Sequence, residues 1–244
     1  MRKPIYATIA SPCGGAGKTT LTVTLASYLH YRQGYRVAVV DCTGQIHCLR
    51  QMDIDAIKKS PSLQERIKAL YSTSKRAYRI EVSAVEHALD KAKELQGIDE
   101  KLELILFDMP TLLSVENTCE LLSRMDFVIF PFTDSILSAD RTKRFVEALY
   151  ELVITTGKGT IKEVYLLETM VNDNKEVSSK SKALIDEVGA SLMTTHIPYG
   201  LEYGKMLYET ENCIGLSTLL PCSLPMEKEL AAEIDTIIRR LWEN

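Results

Sequence analysis

Ser11-Pro-Cys-Gly-Gly-Ala-Gly-Lys-Thr-Thr20 is a glycine-rich turn that runs into Gly17-Lys18-Thr19, and its reading decides the fold. Gly14, Gly15 and Gly17 leave backbone N–H groups free to converge on phosphate oxygens. Lys18 adds a mobile positive charge, and the Thr19 hydroxyl is suited to Mg²⁺. The flanks supply the matching context. Ile5-Tyr-Ala-Thr-Ile9 reads as a buried strand, and Leu21, Leu25 and Leu29 recur at helical spacing over Leu21–Tyr31. An anion held by the turn then lies at a helix amino terminus, where orphan N–H donors and the macrodipole favour negative charge. A plainer reading makes the glycines a tight turn and Lys18 a solvated charge, but it leaves the order strand, loop, helix unaccounted for. Gly14, Gly15, Ala16, Gly17, Lys18, Thr19 and Thr20 are therefore candidate phosphate-binding residues.

Beyond the loop, apolar strands alternate with helical stretches. This predicts an α/β fold, a doubly wound, mostly parallel sheet with helices on both faces. The expected strands after the first are Arg36–Asp41, Leu102–Asp108, Asp126–Phe132, Glu163–Val171 and Leu192–Ile197. Helices are expected over Ser83–Gln96, Ser114–Arg124, Ala139–Val153, Lys175–Val188 and Met226–Trp242. Gln51–Arg79 is polar and contains Ser60-Pro61, so it reads as short helices or loops over a sheet edge. With no internal repeat and no low-complexity linker, residues 1–244 read as one nucleotide-binding domain.

Composition narrows the function classes. A net charge of −4 over 244 residues gives no support to a strongly basic nucleic-acid binder, although a local basic patch is compatible with it. No stretch has the length and hydropathy of a membrane span, and Met1-Arg-Lys-Pro4 leads directly into a strand, so a cytoplasmic location is expected. Six cysteines include no CxxC pair and read as reduced thiols. Cys42, His47 and Cys48 are near one another in sequence, but structural zinc takes four ligands and no second pair accompanies them.

Two expected strands end in aspartate, and ligands of open α/β sheets gather at the carboxyl ends of strands. Asp108 closes Leu104-Ile-Leu-Phe-Asp-Met-Pro110, which resembles a Walker B, and this likeness implies that it holds Mg²⁺ through a water in the outer shell; the bland alternative is a turn or cap aspartate. Asp41 closes Val37-Ala-Val-Val-Asp-Cys-Thr-Gly-Gln45. The compressed loop, whose expected first glycine is Pro12, resembles the deviant Walker A of the ParA/MinD family, which includes the nitrogenase iron protein and arsenical-pump ATPases. In this resemblance Asp108-Met-Pro110 is similar to the Walker B and following switch, and Asp41 to Gln45 is similar to an Asp-x-Asp-Pro-Gln element. The resemblance covers essentially the whole chain. Phe130-Pro-Phe132 with Ser135 and Leu137 is similar to the family's strand and turn after the Walker B, Asn172 resembles its adenine-contacting asparagine, and His196-Ile-Pro-Tyr199 resembles its adenine-side loop, which brings in Pro198. For Asn172 alone, a plain loop asparagine is an equally good reading. Leu25 to Cys42 is particularly similar to the ParA-type proteins of Bacteroides conjugative transposons.

The resemblance implies ATP or ADP with Mg²⁺ as cofactors, Lys18 and Asp41 as catalytic residues, Thr19 and Asp108 as metal ligands, and a nucleotide-dependent homodimer. It also implies a role in DNA transfer or partitioning for a mobile element, with a partner protein from that element. Two positions depart from the pattern. The family's signature lysine falls on Cys13, and the second switch aspartate, which handles the attacking water, falls on Thr43. Both replacements are neutral, so slow hydrolysis with retained binding is expected. Two other readings stay open at this point. In one, Arg2 or Lys3 replaces the signature lysine and the chain is a fully active ATPase. In the other, the C-terminal helix recruits a MinD-like module to a membrane; its acids, Glu227, Glu229, Glu233 and Asp235, favour packing on the sheet instead.

Overall fold

The computed structural model describes residues 2–73, 76–111, 118–157, 159–171, 188–200, 216–221 and 227–243. Eight strands form a parallel sheet in the order β3-β2-β4-β1-β5-β6-β7, with β8 also pairing to β6. They are β1 (Ile5–Ile9), β2 (Val37–Asp41), β3 (Arg79–Val82), β4 (Leu104–Asp108), β5 (Phe127–Phe132), β6 (Glu163–Val171), β7 (Ser191–Leu192) and β8 (Ile197–Pro198). The central strands are buried on both faces and read as continuous apolar runs, as parallel strands covered by helices must. Their alternation splits the core in two. Ile5, Ala7, Ile9, Val37, Val39, Leu104, Leu106, Phe127 and Ile129 face one layer, and Tyr6, Ala38, Val40, Ile105, Phe107, Val128 and Phe130 face the other.

The first layer is covered by α1 (Lys18–Tyr28), which continues through a π-helical turn over Leu29–Gln33, and by the C-terminal helix, α7 (Glu227–Glu243). α7 buries Leu230, Ile234, Ile237, Ile238 and Leu241 in that core. Its apolar stripe is thus already covered, which removes the basis for the membrane-recruitment reading. Among the described residues no helix is long and apolar enough to cross a membrane. The second layer is covered by α4 (Ala88–Ile98), the short α5 (Cys119–Leu122) and α6 (Ile136–Leu149).

Three expectations are corrected. The 51–79 segment is more regular than its polarity suggested: α2 (Gln45–Lys59) and α3 (Pro61–Ser72) occupy most of it. α2 buries only Ile46, Leu49, Asp53 and Ala56, a narrow helical stripe with an aspartate in it, and α3 buries only Leu63. Ser60-Pro61 starts a helix instead of breaking one. The Ser60 hydroxyl accepts from Leu63 N–H at 3.4 Å, and Pro61 takes the first helical position, where its missing N–H costs nothing.

The strand expected over Leu192–Ile197 is two short strands, because the N–H groups of Thr194 and Thr195 donate to the Glu233 carboxylate (2.7 and 3.0 Å) in place of the sheet. Of the helix expected over Ser114–Arg124, residues 114–117 lie outside the described residues; the rest is the single turn Cys119–Leu122, ended before Arg124. Most of the helix expected over Lys175–Val188 lies outside the described residues, as does Asn172.

Candidate nucleotide site

Parallel registry brings the carboxyl ends of β1, β4 and β2 side by side, with Ile9 opposite Asp108 and Asp108 opposite Asp41. The chain leaves β1 into the glycine loop, and β5 lies on the other side of β1, so the loop opens where the sheet changes its direction of winding. Gly15 (φ 73°) and Gly17 (φ 85°) take left-handed conformations that other residues adopt only under strain, and these turn the loop into the amino terminus of α1. The base of the loop is tied to β5: Ala10 N–H donates to Ile129 at 2.9 Å, and Ser11 Oγ donates to the Pro131 carbonyl at 3.4 Å.

A cleft of about 440 Å³ starts at this loop. Gly15, Ala16, Gly17, Lys18, Thr19 and Thr20 line one end, Thr43, Met109, Pro110 and Thr111 line a side wall, and Met170, Pro198 and Tyr199 line the far end. Its polar, donor-rich end and its apolar, partly aromatic end match the two halves of a nucleotide, phosphates and base. Gly14 lies beside the cleft, where an added Cβ would meet Thr111 Oγ1 at 3.9 Å.

Lys18 is almost fully buried, and its Nζ donates to the Cys13 carbonyl (3.4 Å) and to Thr111 Oγ1 (3.2 Å). Burial holds its pKa below the usual lysine value, with the nearby Asp108 carboxylate opposing that shift. Both bonds are long for an ammonium, so a phosphate oxygen is a stronger partner than either.

Asp108 is fully buried at the end of β4 and accepts from Thr19 Oγ1 at 2.9 Å and from Thr43 Oγ1 at 2.9 Å. Burial pushes its pKa up to about 6; the two hydroxyl donors and Lys18 pull it down, and Asp41 pushes it further up. A buried carboxylate beside a hydroxyl in an all-oxygen donor set fits Mg²⁺, which takes few protein ligands and completes its shell from phosphate and water. Thr19 and Asp108 are the residues that would hold it. Bound there, the ion would neutralise phosphate charge.

Asp41 is also fully buried, but its oxygens are taken up by its own loop. Thr43 N–H (3.0 Å), Gly44 N–H (2.8 Å) and His47 N–H (2.8 Å) all donate to it, and the Thr43 hydroxyl lies 2.8 Å away. Asp41 thus anchors the amino terminus of α2 and is not among the residues that line the cleft. Thr43 lies within hydrogen-bond distance of both carboxylates, and its single proton satisfies one of them at a time.

The sequence reading missed several lining residues. Thr111 is one residue beyond the Asp108-Met-Pro110 run, and Tyr199 closes the His196-Ile-Pro-Tyr199 run that was noticed for its proline. Met170, with φ 58°, marks a register shift in β6, and nothing in its sequence context signals a left-handed methionine. Two alternative readings can be compared with the structure. Arg2 and Lys3 precede β1 at the end of the strand remote from the loop, where Arg2 stacks over Trp242 (5.5 Å) and Lys3 over Tyr6 (5.4 Å), so neither stands in for a lysine at position 13. Cys42 packs into the second core layer, with burial pushing its thiol up to about 12, while Cys48 is exposed. Among the described residues no three His, Cys, Asp or Glu side chains are grouped as a metal site.

Residues 7–211 match the CobQ/CobB/MinD/ParA nucleotide binding domain. Among solved structures, the chain is similar to the MinC:MinD cell division protein complex of Aquifex aeolicus, at 16% identity and TM-score 0.59 over 98% of this chain and 96% of that one. It is similar to a plasmid partition protein of Borrelia burgdorferi bound to AMPPNP, at 18% identity and TM-score 0.57 over 98% and 100% of the two chains. It is also similar to the septum site-determining protein MinD of Pyrococcus horikoshii complexed with Mg-ADP, at 18% identity and TM-score 0.59 over 96% and 97%. A comparison with curated proteins gives no match.

Proposed function

The chain belongs to the CobQ/CobB/MinD/ParA family of nucleotide-binding domains, and from that premise we propose that residues 1–244 act as one domain that binds ATP with Mg²⁺ at a deviant Walker A loop, Gly14–Thr20, and hydrolyses it slowly. The observation that carries the reading is the single cleft running from the glycine loop to Pro198 and Tyr199, with Lys18 and the Thr19–Asp108 pair at its phosphate end. Bound ATP closes a homodimer across the loop faces, and the switch serves DNA transfer or partitioning of a mobile element through a partner protein from that element. The similar plasmid partition protein from Borrelia burgdorferi, whose structure is bound to AMPPNP, supports this direction.

Slow turnover follows from two residues. Cys13 offers no cation to a developing charge on the γ-phosphate. Thr43, within hydrogen-bond distance of Asp41 and Asp108, offers no second carboxylate to a water. Binding survives, because the backbone donors, Lys18 and Thr19 remain in place.

Calorimetry of ATP-Mg²⁺ binding tests the assignment. Lys18→Ala is expected to weaken binding roughly a hundredfold or more, since it leaves phosphate charge unpaired in a partly desolvated site. Equal affinity in the two proteins would place the nucleotide elsewhere. Cys13, half-buried beside Lys18, is expected to be shielded from alkylation when ATP-Mg²⁺ is bound, and light scattering at saturating ATP is expected to give the mass of two chains.

A further inference from the structure

At the opposite end of the sheet a second cavity, about 750 Å³, opens between the amino ends of β2 and β3 and the segment that follows α4. Arg36, Arg50, Arg76, Arg79 and His30 line it together with two carboxylates, Glu81 and Asp99. The chain as a whole is acidic, so this excess of cations in one cavity is a local feature.

Arg50 is the most firmly placed of them. Its Nε donates to Thr218 Oγ1 at 2.7 Å, its Nη2 donates to the carbonyls of Tyr78 and Thr218 at 3.1 Å each, and the guanidinium lies 5.3 Å over the Tyr78 ring. These contacts fix the fork and leave Nη1 with no partner among the described residues. Arg79, exposed at the first position of β3, has no hydrogen bond or ion pair among the described residues. Arg36 takes up Asp99 through Nε (3.1 Å) and Nη2 (2.6 Å), so that carboxylate is already engaged.

His30 Nδ1 lies 2.9 Å from the Tyr35 carbonyl and its Nε2 lies 2.7 Å from the Arg76 carbonyl. Both ring nitrogens are thus directed at backbone carbonyls, which ties the helix end carrying His30 to the segment before β3. Like charges gathered around one cavity repel, and a polyvalent anion relieves that repulsion. Guanidinium forks match phosphate oxygens better than any other common side chain does.

We propose that this groove is a binding site for a small polyvalent phosphate, separate from the nucleotide cleft. The volume lies in the range of small-ligand pockets, and the acidic chain as a whole repels a long polyanion. The ligand's phosphates meet Arg50 Nη1 and Arg79, and its remainder lies against Ile80 and Ile98.

Calorimetry with sodium tripolyphosphate tests the site in the Lys18→Ala background, which disables the glycine loop. Binding is expected to persist there and to weaken tenfold or more when Arg79→Ala is added, the equivalent of one charge-assisted hydrogen bond. No binding to Lys18→Ala, undiminished binding after Arg79→Ala, or equally tight binding of citrate would overturn the proposal. So would binding of duplex DNA without binding of tripolyphosphate. Should Lys18→Ala fail to fold, the native chain serves: tripolyphosphate is expected to occupy two sites, only one of them competed by ATP-Mg²⁺, and a single competed site would refute the second.

Discussion

At the carboxyl ends of β1, β2 and β4 the sheet buries two carboxylates and one lysine, whereas at the amino ends of β2 and β3 four arginines and a histidine line a groove with two carboxylates. The first end carries an excess of buried negative charge and the second an excess of positive charge near the surface. The difference is one of burial as much as of sign. Asp41 and Asp108 have no solvent to screen them and are held by hydroxyls and the amino terminus of α2. Arg36, Arg76 and Arg79 are exposed, so water and salt do most of the screening. A cation therefore matters to the stability of one end, and an anion to the occupancy of the other.

The comparison is broken most severely by restoring charge at the nucleotide end. Cys13→Lys with Thr43→Asp supplies the cation and the second carboxylate that the loop lacks. Steady-state phosphate release is expected to rise about 10²-fold or more, the scale of one oriented electrostatic contact in a transition state. The pair should exceed the product of the single changes, because both act on one transition state. Rapid turnover by the native chain, unaltered by the double substitution, would mean that other residues perform hydrolysis.

A smaller effect separates the burial of the two ends. Asp108 keeps its proton up to about pH 6 in the fold but only to the ordinary aspartate value of 3.8 when unfolded. Between those values the native chain binds the extra proton, so metal-free stability falls as pH rises from about 4 to about 6 and stays lower above that. Asp108→Asn removes the penalty. In chelator, the variant is expected to be more stable than its parent by about 2–3 kcal/mol at pH 7.5 and by only about 0.5 kcal/mol at pH 4. Denaturant titrations at both pH values measure this, and parallel curves would show that Asp108 is not the titrating group. The same substitution should weaken Mg²⁺-dependent nucleotide binding, opposite in sign to its effect on the free protein.

How far each end was legible in the sequence follows the same division. Gly14 to Thr20 announce themselves because a phosphate loop constrains the backbone, and backbone constraints show as glycine at fixed spacing. Asp41 and Asp108 are legible because apolar runs end on them. Their differing parts are not, since only the fold shows that His47 N–H and Gly44 N–H consume the Asp41 oxygens. Met170 and Thr111 reach the cleft through a strand irregularity and a turn that carry no compositional mark. α2 was obscured because Asp53 occupies its buried stripe, where it accepts from Thr218 N–H at 2.7 Å. The arginine groove was invisible altogether, as its cations come from separate segments that only the pairing of β2 with β3 brings together.

The smallest expected effect sharpens the comparison from the other end. Arg79 is exposed and carries no ion pair among the described residues, so Arg79→Ala removes a like charge from the groove without leaving a partner unsatisfied. Stability of the ligand-free protein is expected to change by less than about 0.5 kcal/mol, the ordinary range for exposed charges. The effect should depend on salt: at low ionic strength the loss of attraction to the Asp99 carboxylate offsets any relief of repulsion in the groove, and the change is neutral once both are screened. Denaturant midpoints measured at low and at near-molar salt test this. A loss of 2 kcal/mol or more at either salt would show that Arg79 supports the fold through a contact of its own, and would remove the contrast between a buried acidic end that needs a cation and an exposed basic end that does not need an anion to stay folded.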